Sequence, residues 1–113
     1  MVMKKDVEDL LKSYKVLIVK AKNIDLFLEN DTDKSSRERK ALHKASDKIK
    51  MQIKIIDNSL DTLSERDSEM IKLRYIEQFP VNLIGKNYNL SPGRISTLLS
   101  INIEKLIPLL DFT

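Results

Sequence analysis

Cysteine and tryptophan are missing from this 113-residue chain, and histidine occurs once, at His43. The lack of Cys excludes disulfides and thiolate metal sites, and a single imidazole has no second soft ligand beside it. Glycine and proline are scarce, at two and three residues. Sheets need more turn punctuation than that, so the composition points to an all-α fold. No apolar stretch reads as a membrane span or a signal peptide, and the protein is expected in the cytoplasm. Acid–base catalysis needs several polar groups converging in a cleft. A thin helical array with one His and no Cys does not supply them, so neither an enzyme nor a metal or other cofactor is expected. The length suits one domain, or one small domain with a helical appendage.

Charge is abundant but unevenly placed. The net value is +3, yet residues 1–63 carry 14 Lys and Arg against 11 Asp and Glu, while residues 64–113 carry six of each. The excess therefore lies upstream. Between 34 and 54 there are eight basic and two acidic residues, with Arg37, Lys40, Lys44 and Lys48 on one helix face. Such a face is either a solvated surface of a Lys-rich protein or a patch for nucleic acid or an acidic partner. The first reading is the more common. His43 beside it is given no role.

Apolar residues recur at helical spacing along most of the chain. Val7, Leu10, Leu11, Tyr14, Leu17, Ile18, Ala21, Ile24 and Leu28 predict one long helix over 4–29, with Val7, Tyr14, Ala21 and Leu28 seven apart. The polar run 30–36 is a loop, in which Ser35 or Ser36 can cap the next helix. That second long helix, over 37–63, carries Leu42, Ala45, Ile49, Ile53, Ile56, Leu60 and Leu63. Two such stripes joined by a short loop form an antiparallel hairpin over 1–63, expected to serve interaction or dimerisation. Leu11, Ile18, Leu26 and Phe27 flank its seam and remain wet unless a second copy covers them. The spacing leaves open whether the hairpin closes on its own domain or on that copy.

From Ser64 onward the pattern changes to short helices. Ser64 caps a helix over 65–78 with Glu65 and Asp67 in its first turn. Phe79-Pro80 leads into another over 81–87. In it Ile84 is the buried branched residue, Gly85 the tiny one that meets the partner helix, and Tyr88 closes the end. Asn89 tolerates positive φ, Leu90 plugs the turn, Ser91 is an N-cap and Pro92 occupies the first helical position. Ile95, Leu98 and Leu99 then form the buried stripe of a last helix, expected from Pro92 to about Ile107 and ended by Pro108. This is the pattern of a helix-turn-helix that sets its second helix in the DNA major groove, the alternative being a purely structural αα corner. Outward positions are Gly93, Arg94, Ser96, Thr97 and Ser100, with Ser91 at the N-terminus and Lys86 on the preceding helix. Arg94 is the long donor among them and could pair with guanine or serve the fold. Residues 64–113 thus read as a DNA-binding module with an apolar tail, Leu109, Leu110 and Phe112.

The run over 63–106 resembles region 4 of bacterial sigma factors. Leu63, Ser64, Arg66, Glu69, Leu73, Arg74, Tyr75, Ile84, Gly85, Leu90, Ser91, Arg94 and Ile95 stand at the positions of that pattern. Phe79-Pro80 replaces its usual Ser/Thr cap and Leu83 its usual Glu. The early recognition-helix positions hold Pro92, Gly93, Ser96 and Thr97 rather than long polar side chains. The resemblance therefore implies the fold and the role, not a DNA sequence preference. One region 4-like module behind a charged helical N-terminus is also similar to phage transcriptional regulators of the ArpU and RinA type. That similarity implies a sequence-specific transcription regulator from a phage or prophage, with double-stranded DNA and RNA polymerase as partners. A neutral module binds phosphate weakly alone, which favours a homodimer. The alternative is a module that binds RNA polymerase or a sigma factor, or a phage DNA-packaging adaptor, without reading bases.

Overall fold

A computed structural model describes residues 2–30 and 35–111, all in helices and short connections. Most of the loop expected at 30–36, with Lys34, and the tail residue Phe112 lie outside the described residues. The helices are α1 (Lys4–Lys12), α2 (Tyr14–Asn30), α3 (Ser36–Leu60), α4 (Glu65–Ile71), α5 (Val81–Tyr88) and α6 (Pro92–Leu110). Lys72–Ile76 continues α4 as a π-helical turn. Among the described residues no helix is long and apolar enough to cross a membrane.

Local chemistry accounts for most boundaries. The hydroxyls of Ser35, Ser64 and Ser91 accept from the backbone N–H groups of Glu38, Asp67 and Arg94, at 3.2, 3.1 and 3.1 Å. Each satisfies a donor that its helix start leaves unpaired. Asn89 ends α5 in the left-handed conformation, φ 56°. Gln78 has φ 59° and ends the π-helical extension, which the 65–78 periodicity reads as ordinary α-helix. There Glu77 N–H donates to the Lys72 carbonyl at 2.9 Å, and Phe79 N–H to that of Leu73 at 2.9 Å.

The single long first helix is not found. It breaks at Ser13, whose hydroxyl donates to the Leu10 carbonyl at 2.6 Å, while its N–H reaches back to Asp9 and Leu10. Serine bonded to its own preceding turn bends helices. The break separates two destinations. α1 packs on α6 and on the π-helical turn, whereas α2 packs along α3. Leu11, expected to stay wet, is consequently buried completely. Lys4 Nζ donates to Ser100 Oγ at 2.6 Å and pairs with Glu104 at 3.0 Å, and Tyr75 reaches Glu8 at 3.4 Å.

Val7 and Leu11 of α1 and Ile56 and Leu60 of α3 thus share one core with Met70, Ile71, Ile84, Ile95, Leu99, Ile103 and Leu106. Leu73 and Leu90 are only partly buried against it. The rest of α2 and α3 forms an arm. The radius of gyration is 17.2 Å and the long axis 56 Å, against about 13 Å for a compact chain of this length. Inside the arm Ser46 is buried where Ala45 was expected, and Ala45 is exposed. Ser46 donates to Asp25 at 2.8 Å, and Lys50 pairs with the same carboxylate at 2.6 Å. Lys50 first, then Ser46, hold the Asp25 carboxyl below its ordinary range.

Pro108 does not end α6. The helix runs through it to Leu110. Proline forfeits one backbone bond, but the last turn carries Leu110, fully buried in the core, and Asp111 accepts from Val2 N–H at 3.0 Å.

Candidate nucleic-acid interface

The close approach of α5 to the turn before α6 rests on one glycine. A Cβ on Gly85 would lie 2.5 Å from the Leu90 carbonyl oxygen, a backbone atom. No side chain fits there, so the two helices meet directly behind the turn. Ile84 and Ile95, both fully buried, lock the pair from the core side. Arg74 secures the approach to α5 by donating to the Phe79 carbonyl at 3.0 Å. Tyr88 closes the other end. Burial, then the Glu69 carboxylate beside it, hold its phenol well above the ordinary value. Tyr75 is raised to about 12, first by burial and then by Glu8. These groups shape the scaffold, and none lies on the outer face of α6.

That outer face is what the scaffold presents. Ser91, Gly93, Arg94, Ser96 and Thr97 are all exposed at the start of α6, and Lys86 is exposed on α5. Ser91 spends its oxygen on the cap. Thr97 donates to the Gly93 carbonyl at 3.0 Å. Among the described residues the Arg94 guanidinium has no partner, and it points to solvent rather than into the core. Nothing lies within 4 Å of a Cβ built on Gly93, so the surface there is open and low. The start of α6 thus presents a capped N-terminus, small residues and one long donor.

Ser100 is placed differently. It is half-buried and accepts from Lys4, so it faces α1. Ile101, one turn beyond Thr97, is the exposed residue that continues the outer stripe. Its i+4 spacing from Thr97 is the signal for it in the sequence. Arg37, Lys40, Lys44 and Lys48 are exposed on the N-terminal half of α3. Leu60, at the core end of α3, is 12 residues beyond Lys48, about 18 Å along the helix. The basic stripe and the recognition helix are therefore separate surfaces.

Comparison with known proteins agrees with this geometry. Residues 59–106 match the family described as sigma-70, region 4. The match spans α4, the π-helical turn, α5 and most of α6. No curated protein and no solved structure matches the chain. Region 4 is a DNA-binding domain rather than a catalytic one, and residues 59–106 are a sigma region 4-like helix-turn-helix of the DNA-binding kind.

Proposed function

We propose that the chain is a sequence-specific DNA-binding transcription regulator, acting in the cytoplasm as a homodimer on double-stranded DNA. The observation that carries this is the open N-terminal face of α6, where Arg94 projects from a capped helix on a region 4-like scaffold. Arg94 is the base-reading donor, with Gly93, Ser96 and Thr97 against the groove wall and Lys86 and Ser91 beside phosphate. A phage or prophage origin is supported by the similarity of the layout to ArpU- and RinA-type regulators. Dimerisation meets an electrostatic need. The module half is neutral overall, and phosphate neutralisation supplies most non-specific affinity, so two modules are needed for useful binding.

A second reading, contact with RNA polymerase or a sigma factor without base readout, is favoured by exposed Phe79 and Leu83 at the start of α5. Gel-shift titration separates the two, using the DNA upstream of the protein's own gene against a scrambled duplex of equal length. A discrete complex on the first at concentrations that leave the second unbound supports the regulator. Equal affinity for both supports the protein-contact reading.

A further inference from the structure

Helix α2 carries apolar residues on two opposite sides, and one of these faces lies outside the core. Ala21 and Leu28 are buried toward α3, but Val16, Val19 and Leu26, on the opposite side, are 66, 54 and 59% exposed. A helix that is apolar beyond a single stripe belongs in an interior. On one flank of this side, Val16, Val19, Asn23, Ile24 and Phe27 line with Leu42 of α3 a groove of about 710 Å³, and Leu26 lies outside it.

We propose that a second copy of this chain occupies that face, with the two α2 helices packed antiparallel about a two-fold axis near Asn23. This deepens the dimer proposed above by naming its surface and its orientation. Three observations select this occupant. The exposed stripe runs through positions 16, 19, 23, 26 and 30, a spacing of three and four that describes the seam between paired helices. Its polar members are Asn23 and Asn30. An amide both donates and accepts, so near a two-fold axis Asn23 can pair with its own copy, and a polar seam residue fixes register.

Charge then selects the direction. Lys15, Lys20 and Lys22 line the edges of the first half of the stripe, and Glu29 lies on the edge of the second. Parallel copies would set Lys15 beside the partner's Lys20 on both flanks. Antiparallel copies set Lys15 beside the partner's Glu29, twice by symmetry, against a single approach of Lys22 to its own copy at the axis. The arrangement carries the two recognition helices to opposite ends of the assembly, each with its own half-site.

Sedimentation equilibrium of the intact protein without DNA tests the surface. The wild type is expected at twice the 13.1 kDa chain mass at micromolar concentration. Val19→Glu and Leu26→Glu are each expected at the mass of one chain with unchanged helical circular dichroism, both sites being exposed in one copy. Met51→Glu, exposed on α3, is expected to stay dimeric. A wild type of single-chain mass overturns the proposal, as does a dimer that survives both α2 substitutions. Because the chain has no Cys, orientation can be read by cross-linking single-Cys variants with a short bis-maleimide. Asn23→Cys is expected to cross-link and Val16→Cys not to. Cross-linking of both would mean parallel helices and overturn the orientation. The mass is measured without DNA, so failure here and failure of DNA binding are separate results.

Discussion

The helix-turn-helix module and the arm are built from similar residues but finish their surfaces in opposite ways. In the module, with α1 added, the inward stripes close on one core, and Phe79, Leu83 and Ile101 stay exposed. Val7, Leu11, Met70, Ile71, Ile84, Ile95 and Leu106 are 1% exposed or less. In the arm the interior holds Ala21, Leu28, Ser46 and Ile49 around the Asp25–Lys50 pair, while Val16, Val19, Leu26 and Met51 face outward. Fold and contact are therefore divided between the two regions. One is closed around the helix-turn-helix, and the other leaves apolar surface exposed.

Cavity formation should expose this contrast most strongly. Ile84→Ala is expected to cost about 2–5 kcal/mol, because its surroundings on α6 and the π-helical turn are fixed from all sides. Ile49→Ala in the arm should fall at the low end of that range, since an open flank lets neighbours close around the gap. Urea unfolding followed by circular dichroism checks both. Equal losses would contradict the contrast. A change in the other direction is available inside the module. Asn102 is buried in α6 with its Nδ2 donating to the Leu98 carbonyl at 2.9 Å and, among the described residues, no partner for Oδ1. Asn102→Leu is expected to raise stability by about 1 kcal/mol. A loss would mean that Oδ1 is satisfied.

Gly93 separates stability from binding. An added Cβ there meets nothing, so Gly93→Ala should stabilise the helix by up to about 1 kcal/mol. It should also weaken DNA binding, because the surface approached by the duplex becomes higher. A variant both more stable and tighter on DNA would remove Gly93 from the interface. The smallest effect concerns pH. The Asp25 carboxyl is held below its unfolded value of 3.8, chiefly by Lys50. Its contribution is thus complete above that value and lost as pH falls through the lower folded value. Amide exchange in α2 and α3 is expected to quicken in that acid window, and Asp25→Asn should remove the dependence.

What was legible in the sequence was local. Ser64, Ser91 and Asn89 act through neighbours a few residues away, and each does what its position suggests. Gly85 was legible as well, because the tight crossing admits nothing larger. The destination of each stripe was not. The three-and-four spacing from Val7 to Leu28 continues unbroken across Ser13, so nothing in it marks where α1 leaves α2 for α6. Leu11 therefore reads as wet and is buried. Ala45 and Ser46 are neighbours on one turn, and the choice between them depends on Asp25 across the arm. Pro108 reads as a stop in isolation, but Leu110 two residues on has a core site to fill. Ser100 reads as outward on a bare helix, and Lys4, 96 residues away in sequence, takes it. At the candidate site, Gly93, Arg94, Ser96 and Thr97 were visible as exposed positions from periodicity alone. No spacing rule indicates whether they meet bases.

The central claim is that α6 reads bases through Arg94. The most direct measurement compares wild type and Arg94→Ala by fluorescence anisotropy on a duplex selected for tight binding and on a random duplex, at one salt concentration. The expected result is a loss of about 1–3 kcal/mol on the selected duplex, a much smaller loss on the random one, and an unchanged melting temperature. Equal losses on both duplexes would reduce Arg94 to a phosphate contact and contradict base readout.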